Sequence, residues 1–126
     1  MFDILHRVGI KASLDNVYNA LGTPEGVAGW WTAATTGDNK AGGMITFRFT
    51  DNGRELGFFD MKIRFELKQE DDFTIVLFSH EGWKEPVEFM YHCSTKWAVY
   101  LLSLKSLLET GEGTPHPRDL RIDSWD

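Results

Sequence analysis

Histidine residues that could take part in chemistry stand at positions 80 and 92, near the ends of two predicted elements. His80 ends an apolar run and is followed by Glu81. If Val76 and Phe78 face inward, His80 does so too, because alternate residues of a strand share a face. An inward His80 could orient a carbonyl group or act as a base, which makes it the one candidate catalytic residue. A hydrogen-bonded structural histidine is the alternative interpretation of this position.

His92 and Cys93 are neighbours in a predicted helix, but they do not form a pair of nucleophile and base. Adjacent helix side chains point about 100° apart, so the imidazole does not face the thiol. A metal site from His80, Glu88 and His92 would require the helix start to fold back beside the strand end, and the spacing matches no standard zinc motif. We therefore predict no metal site and no cofactor. The glycines of residues 37–43 precede no helix, which excludes a nucleotide-binding loop.

The composition is that of one globular domain without a nucleic-acid or membrane partner. The chain has 126 residues, of which 42% are hydrophobic and 25% are charged. Its net charge of −6 is spread along the chain, whereas phosphate binding requires a clustered basic face. It has no run of about 18 apolar residues, so we expect no transmembrane helix. Residues 1–10 are too polar for a signal peptide, and the single cysteine excludes an internal disulfide, so we expect a cytoplasmic protein.

Residues 86–110 predict one long helix, around which the rest of the chain is organised. Pro86 suits its first turn, and Gly111 is a natural end because glycine readily adopts the left-handed conformation. The apolar stripe recurs at steps of three and four residues and is wide enough that most of the helix must be covered. The stripe consists of Met90, Cys93, Trp97, Leu101, Leu104 and Leu108.

The residues before this helix predict a strand, two short helices and a series of antiparallel strands. Ser13 and Thr23 are helix-capping residues and Pro24 suits a first turn, so a short helix should follow each cap. The apolar side of the first short helix should be Val17, Tyr18, Ala20 and Leu21. The predicted strands are 2–11, 44–50, 56–63, 64–68 and 73–80, with a loop over 33–43 and a hairpin turn at 51–53.

These elements predict an α+β fold, in which a curved antiparallel β-sheet wraps around the long C-terminal helix and two short helices follow the first strand. Residues 1–111 should form a single domain. Residues 112–126 have no core pattern and should form a C-terminal tail. Ile122 and Trp125 are expected to pin this tail to the body or to lie in the contact of a homodimer.

Several short motifs follow one another in a characteristic order over residues 2–110. They are Ala12-Ser13, Val17-Tyr18-Asn19-Ala20-Leu21, Gly29-Trp30-Trp31-Thr32, Gly42-Gly43, Phe47-Arg48-Phe49, Ser79-His80-Glu81-Gly82-Trp83 and Trp97. This order resembles the START-like (SRPBCC) superfamily with the helix-grip fold. It is most similar to the branch that includes the C-terminal domain of the co-chaperone that activates the heat-shock-protein-ninety ATPase.

One junction departs from this resemblance. Members of the family usually have two further strands between the counterparts of residues 61–63 and 64–66, whereas here one predicted strand runs into the next without a turn residue. Either those strands are absent or the sequence lacks a stretch of chain. The second explanation is favoured, because a sheet without them would have unpaired edges.

The resemblance implies a cavity between the sheet and the long helix, of the roughly 300–1,000 Å3 that ligand sites usually have. Aromatic and methionine side chains at inward positions, Phe65 among them, suit an apolar ligand, although they could instead simply fill the core. Trp30 and Trp31 favour the ligand interpretation, since adjacent tryptophans are not expected to point into one core together. The candidate ligand-binding residues are Trp30, Trp31, Phe47, Phe49, Phe59, Met61, Phe78, Trp83, Phe89, Met90, Cys93 and Trp97.

Three functions are compatible with these residues and with the resemblance. The first is binding of a small hydrophobic or aromatic molecule in the cavity. The second is an enzyme similar to the polyketide cyclases or hydrolases among START-like relatives, with His80 as the catalytic residue. The third is a co-chaperone-like protein-interaction domain, with exposed Trp30, Trp31 and Trp125 as the contact.

Overall fold

The structure, a computed structural model, describes residues 2–31 and 63–126 with their side chains. Of the chain between these ranges it describes the backbone of residues 35–37, 45–47, 50–51, 54–55 and 62. In chain order the elements are β1 (Phe2–Ile10), α1 (Leu14–Gly22), α2 (Pro24–Ala28), β2 (Thr35–Gly37), β3 (Ile45–Phe47), β4 (Thr50–Asp51), β5 (Arg54–Glu55), β6 (Lys62–Glu70), β7 (Phe73–Trp83) and α3 (Glu88–Thr110).

A three-stranded antiparallel sheet in the order β1-β7-β6 carries the long helix. β7 is its central strand, so that His80 pairs with Ile4 on one side and with Ile63 on the other. Val76, Phe78 and His80 are all buried. The condition stated for His80 is therefore met, because Val76 and Phe78 face inward and His80 lies on the same face.

β6 runs without interruption through the junction at which two separate strands were predicted. Each residue of Lys62–Glu70 has a partner in the longer strand β7, so Ile63 and Arg64 are consecutive members of one ladder. The predicted boundary between strands 56–63 and 64–68 is therefore wrong, whereas the absence of a stretch of chain from the sequence stays a prediction. A turn residue is absent because the strand does not turn.

The described backbone between residues 32 and 62 confirms one predicted feature and corrects another. β4 pairs antiparallel with β5 across the predicted turn at 51–53, which confirms the hairpin. The loop predicted over 33–43 contains β2, which pairs with β3. Residues 56–61 lie outside the described part of the chain, so most of the predicted strand 56–63 stays a prediction.

The long helix begins later than predicted. β7 continues to Trp83 instead of ending at residue 80. α3 then begins at Glu88, because the residue before it is extended, and Pro86 therefore precedes the helix. The helix ends as predicted, at Gly111, whose φ of 91° is a left-handed conformation that glycine adopts without strain.

Side chains cap both short helices as predicted. Ser13 Oγ accepts a hydrogen bond from the backbone N–H three residues on, at 3.2 Å, and Thr23 Oγ1 accepts the equivalent bond at 3.0 Å. Each cap stabilises its helix by about 1 kcal/mol. The predicted apolar side of α1 is correct for Val17 and Ala20, which are buried, but wrong for Tyr18, which is exposed beside an open groove.

α3 lies against β1 and contacts β7 through Trp97, which packs on Phe78. Its last turns are tied to the end of β1, where Lys105 Nζ donates to Gly9 O at 2.6 Å. This arrangement confirms the predicted α+β fold with the long C-terminal helix on a curved antiparallel sheet. No helix in the described part of the chain combines the length and apolar character required to cross a bilayer.

We expect Leu104→Ala to destabilise the protein far more than Leu102→Ala. Leu104 is fully buried, whereas the Leu102 side chain is 59% exposed on the same helix. Truncation of a buried leucine lowers the free energy of unfolding by about 2–5 kcal/mol, and an exposed substitution changes it by roughly 0.5 kcal/mol or less. Urea denaturation of the two variants measures the difference, and equal losses would contradict this packing of α3.

Candidate functional site

Aromatic side chains from the sheet, from α3 and from the turn after α2 form one packed cluster. The Trp97 ring centroid lies 4.9 Å from that of Trp31 and 4.5 Å from that of Phe78. Phe65 lies 5.4 Å from Phe78 and 6.2 Å from Trp30. These are the separations of aromatic rings in direct contact. The five side chains thus fill the core between the sheet and the helix.

Trp30 and Trp31 are both buried, with 1% and 7% of their surface exposed. The expectation that adjacent tryptophans cannot both face one core is therefore wrong. Alternation of faces applies to a strand, whereas these residues form a turn in which both backbone N–H groups donate to Val27 O. Their rings stack at 5.9 Å, and the Trp30 indole N–H donates to Ala20 O at 2.9 Å.

A hydrogen bond between buried side chains fixes the proton on His80. The indole N–H of Trp97 donates to His80 Nδ1 at 3.0 Å. Because an indole can only donate, Nδ1 is unprotonated, and the neutral imidazole carries its proton on Nε2. Burial lowers the pKa of His80 from its ordinary value of 6.5, so the ring is neutral at pH 7. The other ring nitrogen of His80, Nε2, is therefore an N–H donor.

Trp83 is buried beside His80 and has a polar atom without a partner. The two ring centroids lie 5.3 Å apart in an edge-on arrangement. Trp83 Nε1 is buried, and no described residue accepts a hydrogen bond from it. A buried N–H without an acceptor costs about 1–3 kcal/mol. The C-terminal end of β7 thus places two N–H donors, those of His80 and Trp83, among apolar side chains.

The start of α3 supplies apolar surface next to Trp83. Phe89, Met90 and Cys93 are half-buried, whereas Leu101 and Leu104 later in the helix are fully buried. The Phe89 ring lies 6.2 Å from that of Trp83. Burial raises the pKa of the Cys93 thiol to about 11, so Cys93 is not a nucleophile at neutral pH.

The structure therefore divides the predicted ligand-binding residues into groups. Trp30, Trp31, Phe78 and Trp97 belong to the packed cluster, and Trp83, Phe89, Met90 and Cys93 lie at the end where the two donors are. The side chains of Phe47, Phe49, Phe59 and Met61 lie outside the described residues.

Charged groups that sequence reasoning did not predict attach residues 112–126 to α3. Lys96 Nζ forms ion pairs with Asp119 and with Asp126, the second at 2.6 Å. Tyr100 Oη donates to Asp119 at 3.1 Å. The tail thus lies along one side of the helix, and its backbone also joins the core, since its residue 116 N–H donates to the carbonyl of residue 31 at 2.7 Å.

The first turns of α3 hold the end of the tail. His92 Nδ1 lies 2.7 Å from Asp123 Oδ2, and the Trp125 ring contacts the His92 ring at a centroid distance of 5.6 Å. An open groove of about 350 Å3 lies between this part of the tail and the helix. The sequence signal for the tail contact was the four-residue spacing of His92, Lys96 and Tyr100, which aligns polar groups along one helix face.

A second open groove, of about 460 Å3, lies between α1 and β6. Its lining is mainly apolar and includes Leu14, Tyr18 and Phe65. This groove lies on a different part of the surface from the donors of His80 and Trp83.

A long C-terminal helix on a curved antiparallel sheet, with two short helices after the first strand, defines the START-like class of fold. No family model matches the chain, and no curated protein matches it. A solved structure of an Aha1 dimer from Colwellia psychrerythraea is similar, with a TM-score of 0.77 and 38% identity over 90% of this chain and 100% of that one. The chain belongs to the START-like superfamily, in its Aha1-like branch.

Two further solved structures share the fold at lower identity. A Staphylococcus saprophyticus protein matches with a TM-score of 0.73 and 18% identity, over 89% of this chain and 95% of its own. A conserved Enterococcus faecalis protein of unknown function matches with a TM-score of 0.69 and 18% identity, over 96% of this chain and 77% of its own. These two similarities concern the fold alone.

We expect His80 to stay neutral, with its proton on Nε2, at pH values where an ordinary histidine is charged. Because the unfolded chain binds this proton near pH 6.5 and the folded chain only at lower pH, the free energy of unfolding falls as the pH drops below about 6.5. Long-range proton–nitrogen NMR spectra identify the tautomer. His80→Asn keeps an acceptor for Trp97 and should remove this part of the pH dependence; an unchanged dependence would refute the assignment.

Proposed function

We propose that this chain is a cytoplasmic binding module for a small apolar or aromatic molecule that carries a hydrogen-bond acceptor. The ligand would occupy the region between the far end of β7 and the start of α3. The observation that supports this most directly is Trp83 Nε1, which is buried without an acceptor among the described residues. The half-buried side chains of Phe89, Met90 and Cys93 offer adjoining apolar surface for the rest of the ligand.

The state of His80 favours binding over catalysis. Its Nδ1 accepts the Trp97 N–H, and its Nε2 carries the proton. A general base needs a free lone pair, which neither nitrogen then offers to a substrate. A ligand carbonyl or ether oxygen, by contrast, could accept from Nε2–H as well as from Trp83. The cyclase or hydrolase alternative would require the opposite tautomer.

Two matched ligands test the requirement for an acceptor. 2-Acetylnaphthalene has a carbonyl oxygen, and 2-ethylnaphthalene has nearly the same shape without one. We expect the protein to bind the ketone about tenfold more tightly, because satisfying a buried donor contributes on the order of 1–3 kcal/mol. Isothermal titration calorimetry measures both affinities under the same conditions.

Two tryptophan variants localise the effect. Trp83→Phe removes the unpaired N–H and should abolish the preference for the ketone. Trp125→Phe removes an N–H from a half-exposed indole in the tail and should leave the preference unchanged. A preference that survives Trp83→Phe would contradict the site. If neither naphthalene binds, and no aromatic or fatty ligand in a wider panel raises the melting temperature, the binding function itself is refuted.

Self-association is a second proposal, supported by the Aha1 structure from Colwellia, which is a dimer. Tyr91 and Trp125 are large exposed side chains that line the same groove. Adjacent exposed aromatic residues are typical of protein interfaces. Trp30 and Trp31, which were expected to join Trp125 in a protein contact, are buried and do not contribute.

We expect Trp125→Gln to weaken a homodimer of this chain. Leu5→Gln is the matched control, because it changes an apolar side chain on β1 that is even more exposed than Trp125. Sedimentation equilibrium over a wide concentration range gives the dissociation constant of each variant. A monomeric wild-type protein, or equal weakening by both substitutions, would contradict the proposed interface.

A further inference from the structure

We propose that His92, Asp123 and Asp126 form a binding site for a divalent transition-metal ion, and that zinc is the ion that suits their donor atoms. One ligand atom from each of the three lies within 4.8 Å of the other two. His92 comes from the second turn of α3, and both aspartates come from the tail. One imidazole nitrogen with two carboxylate oxygens is a donor set that zinc accepts, with a fourth position left for water. Magnesium and calcium prefer oxygen ligands alone.

The carboxylate of Asp126 provides independent support for a bound cation. Its side chain is 5% exposed. Oδ2 accepts hydrogen bonds from Lys96 Nζ at 2.6 Å and from the Ile122 N–H at 2.9 Å. Oδ1 is also buried, but no described residue donates to it. A buried carboxylate oxygen without a donor is unfavourable, and coordination to a metal ion would satisfy it.

The charges around the cluster also favour a divalent cation. Lys96 faces Asp119 and Asp126, and Asp123 faces His92, so the described ion pairs combine three carboxylates with one ammonium group. The three carboxylates exceed the one ammonium group by two negative charges, which one divalent ion would balance.

The contact between His92 and Asp123 can open around a metal ion with little movement. Their atoms Nδ1 and Oδ2 lie 2.7 Å apart, with the imidazole proton between them. Two ligand atoms bound to one tetrahedral zinc ion at about 2.0 Å lie roughly 3.3 Å apart. Zinc would take the place of the proton at Nδ1 and form bonds to Nδ1 and to a carboxylate oxygen, and the metal-bound neutral imidazole would carry its one proton on Nε2. The bound ion would then join the tail to α3.

Calorimetric titration of the chelator-treated protein with zinc chloride tests the site. We expect saturable binding of one zinc ion per chain. Zinc should also raise the melting temperature, and cobalt(II) should give the visible absorption of a tetrahedral centre. The absence of saturable zinc binding, or equal affinity for magnesium, would overturn the proposal.

Variants separate this site from incidental binding to surface histidines. His92→Gln and Asp123→Asn should each weaken zinc binding more than about tenfold. Loss of a residue that only supports a metal ligand already weakens binding by about tenfold or more, and the loss of a ligand itself should weaken it further. His116→Gln is the matched control, because His116 pairs with Asp119 in the same tail and lies outside the proposed ligand set. Circular dichroism without zinc checks that each variant is folded. Affinity that is unchanged in both ligand variants, or reduced as much in His116→Gln, would assign the zinc elsewhere.

Discussion

The contacts of Trp97 determine how the parts of this fold are arranged. Its ring packs against Phe78 of the central strand and against Trp31 of the turn after α2, while its N–H donates to His80. These neighbours belong to β7 and to the turn after α2, so the Trp97 side chain joins α3 to both segments. The same hydrogen bond sets the tautomer of His80. The packing of the core and the position of the proton on His80 therefore depend on the same Trp97 side chain.

Burial disfavours the charged forms of the ionisable side chains in this region, but it does not remove their hydrogen-bonding groups. It lowers the pKa of His80, so the imidazole remains neutral, and it raises the pKa of Cys93, so the thiol remains protonated. Neither change removes an N–H group. His80 and Trp83 consequently each retain an N–H group, which is the feature on which the proposed binding function rests.

The sequence was informative where the determinants of structure are local. The caps Ser13 and Thr23 and the terminal Gly111 act within a few residues of themselves, and their helices begin or end as predicted. The sequence was misleading where the local structure depends on contacts with residues that are distant in the sequence. Residues 63–64 stay in one strand because β7 is long enough to pair with all of β6, and the adjacent tryptophans at 30–31 both enter the core because they lie in a turn.

The candidate site was only partly predictable for the same reason. The alternation of one strand places His80 on the face of Val76 and Phe78, and the structure shows that this face is the inward one. The unpaired N–H of Trp83 depends on which acceptors surround it, and no local pattern encodes that. The spacing of His92, Lys96 and Tyr100 was visible, but its meaning depends on aspartates that stand about twenty to thirty residues later in the sequence. α3 turns by about 100° per residue. The angle around the helix axis between that polar row and the buried row of Trp97, Leu101 and Leu104 is therefore fixed by the number of residues between them. One residue inserted between positions 92 and 104 would rotate the two rows by about 100° relative to each other, and α3 could then no longer contact the sheet and the tail together.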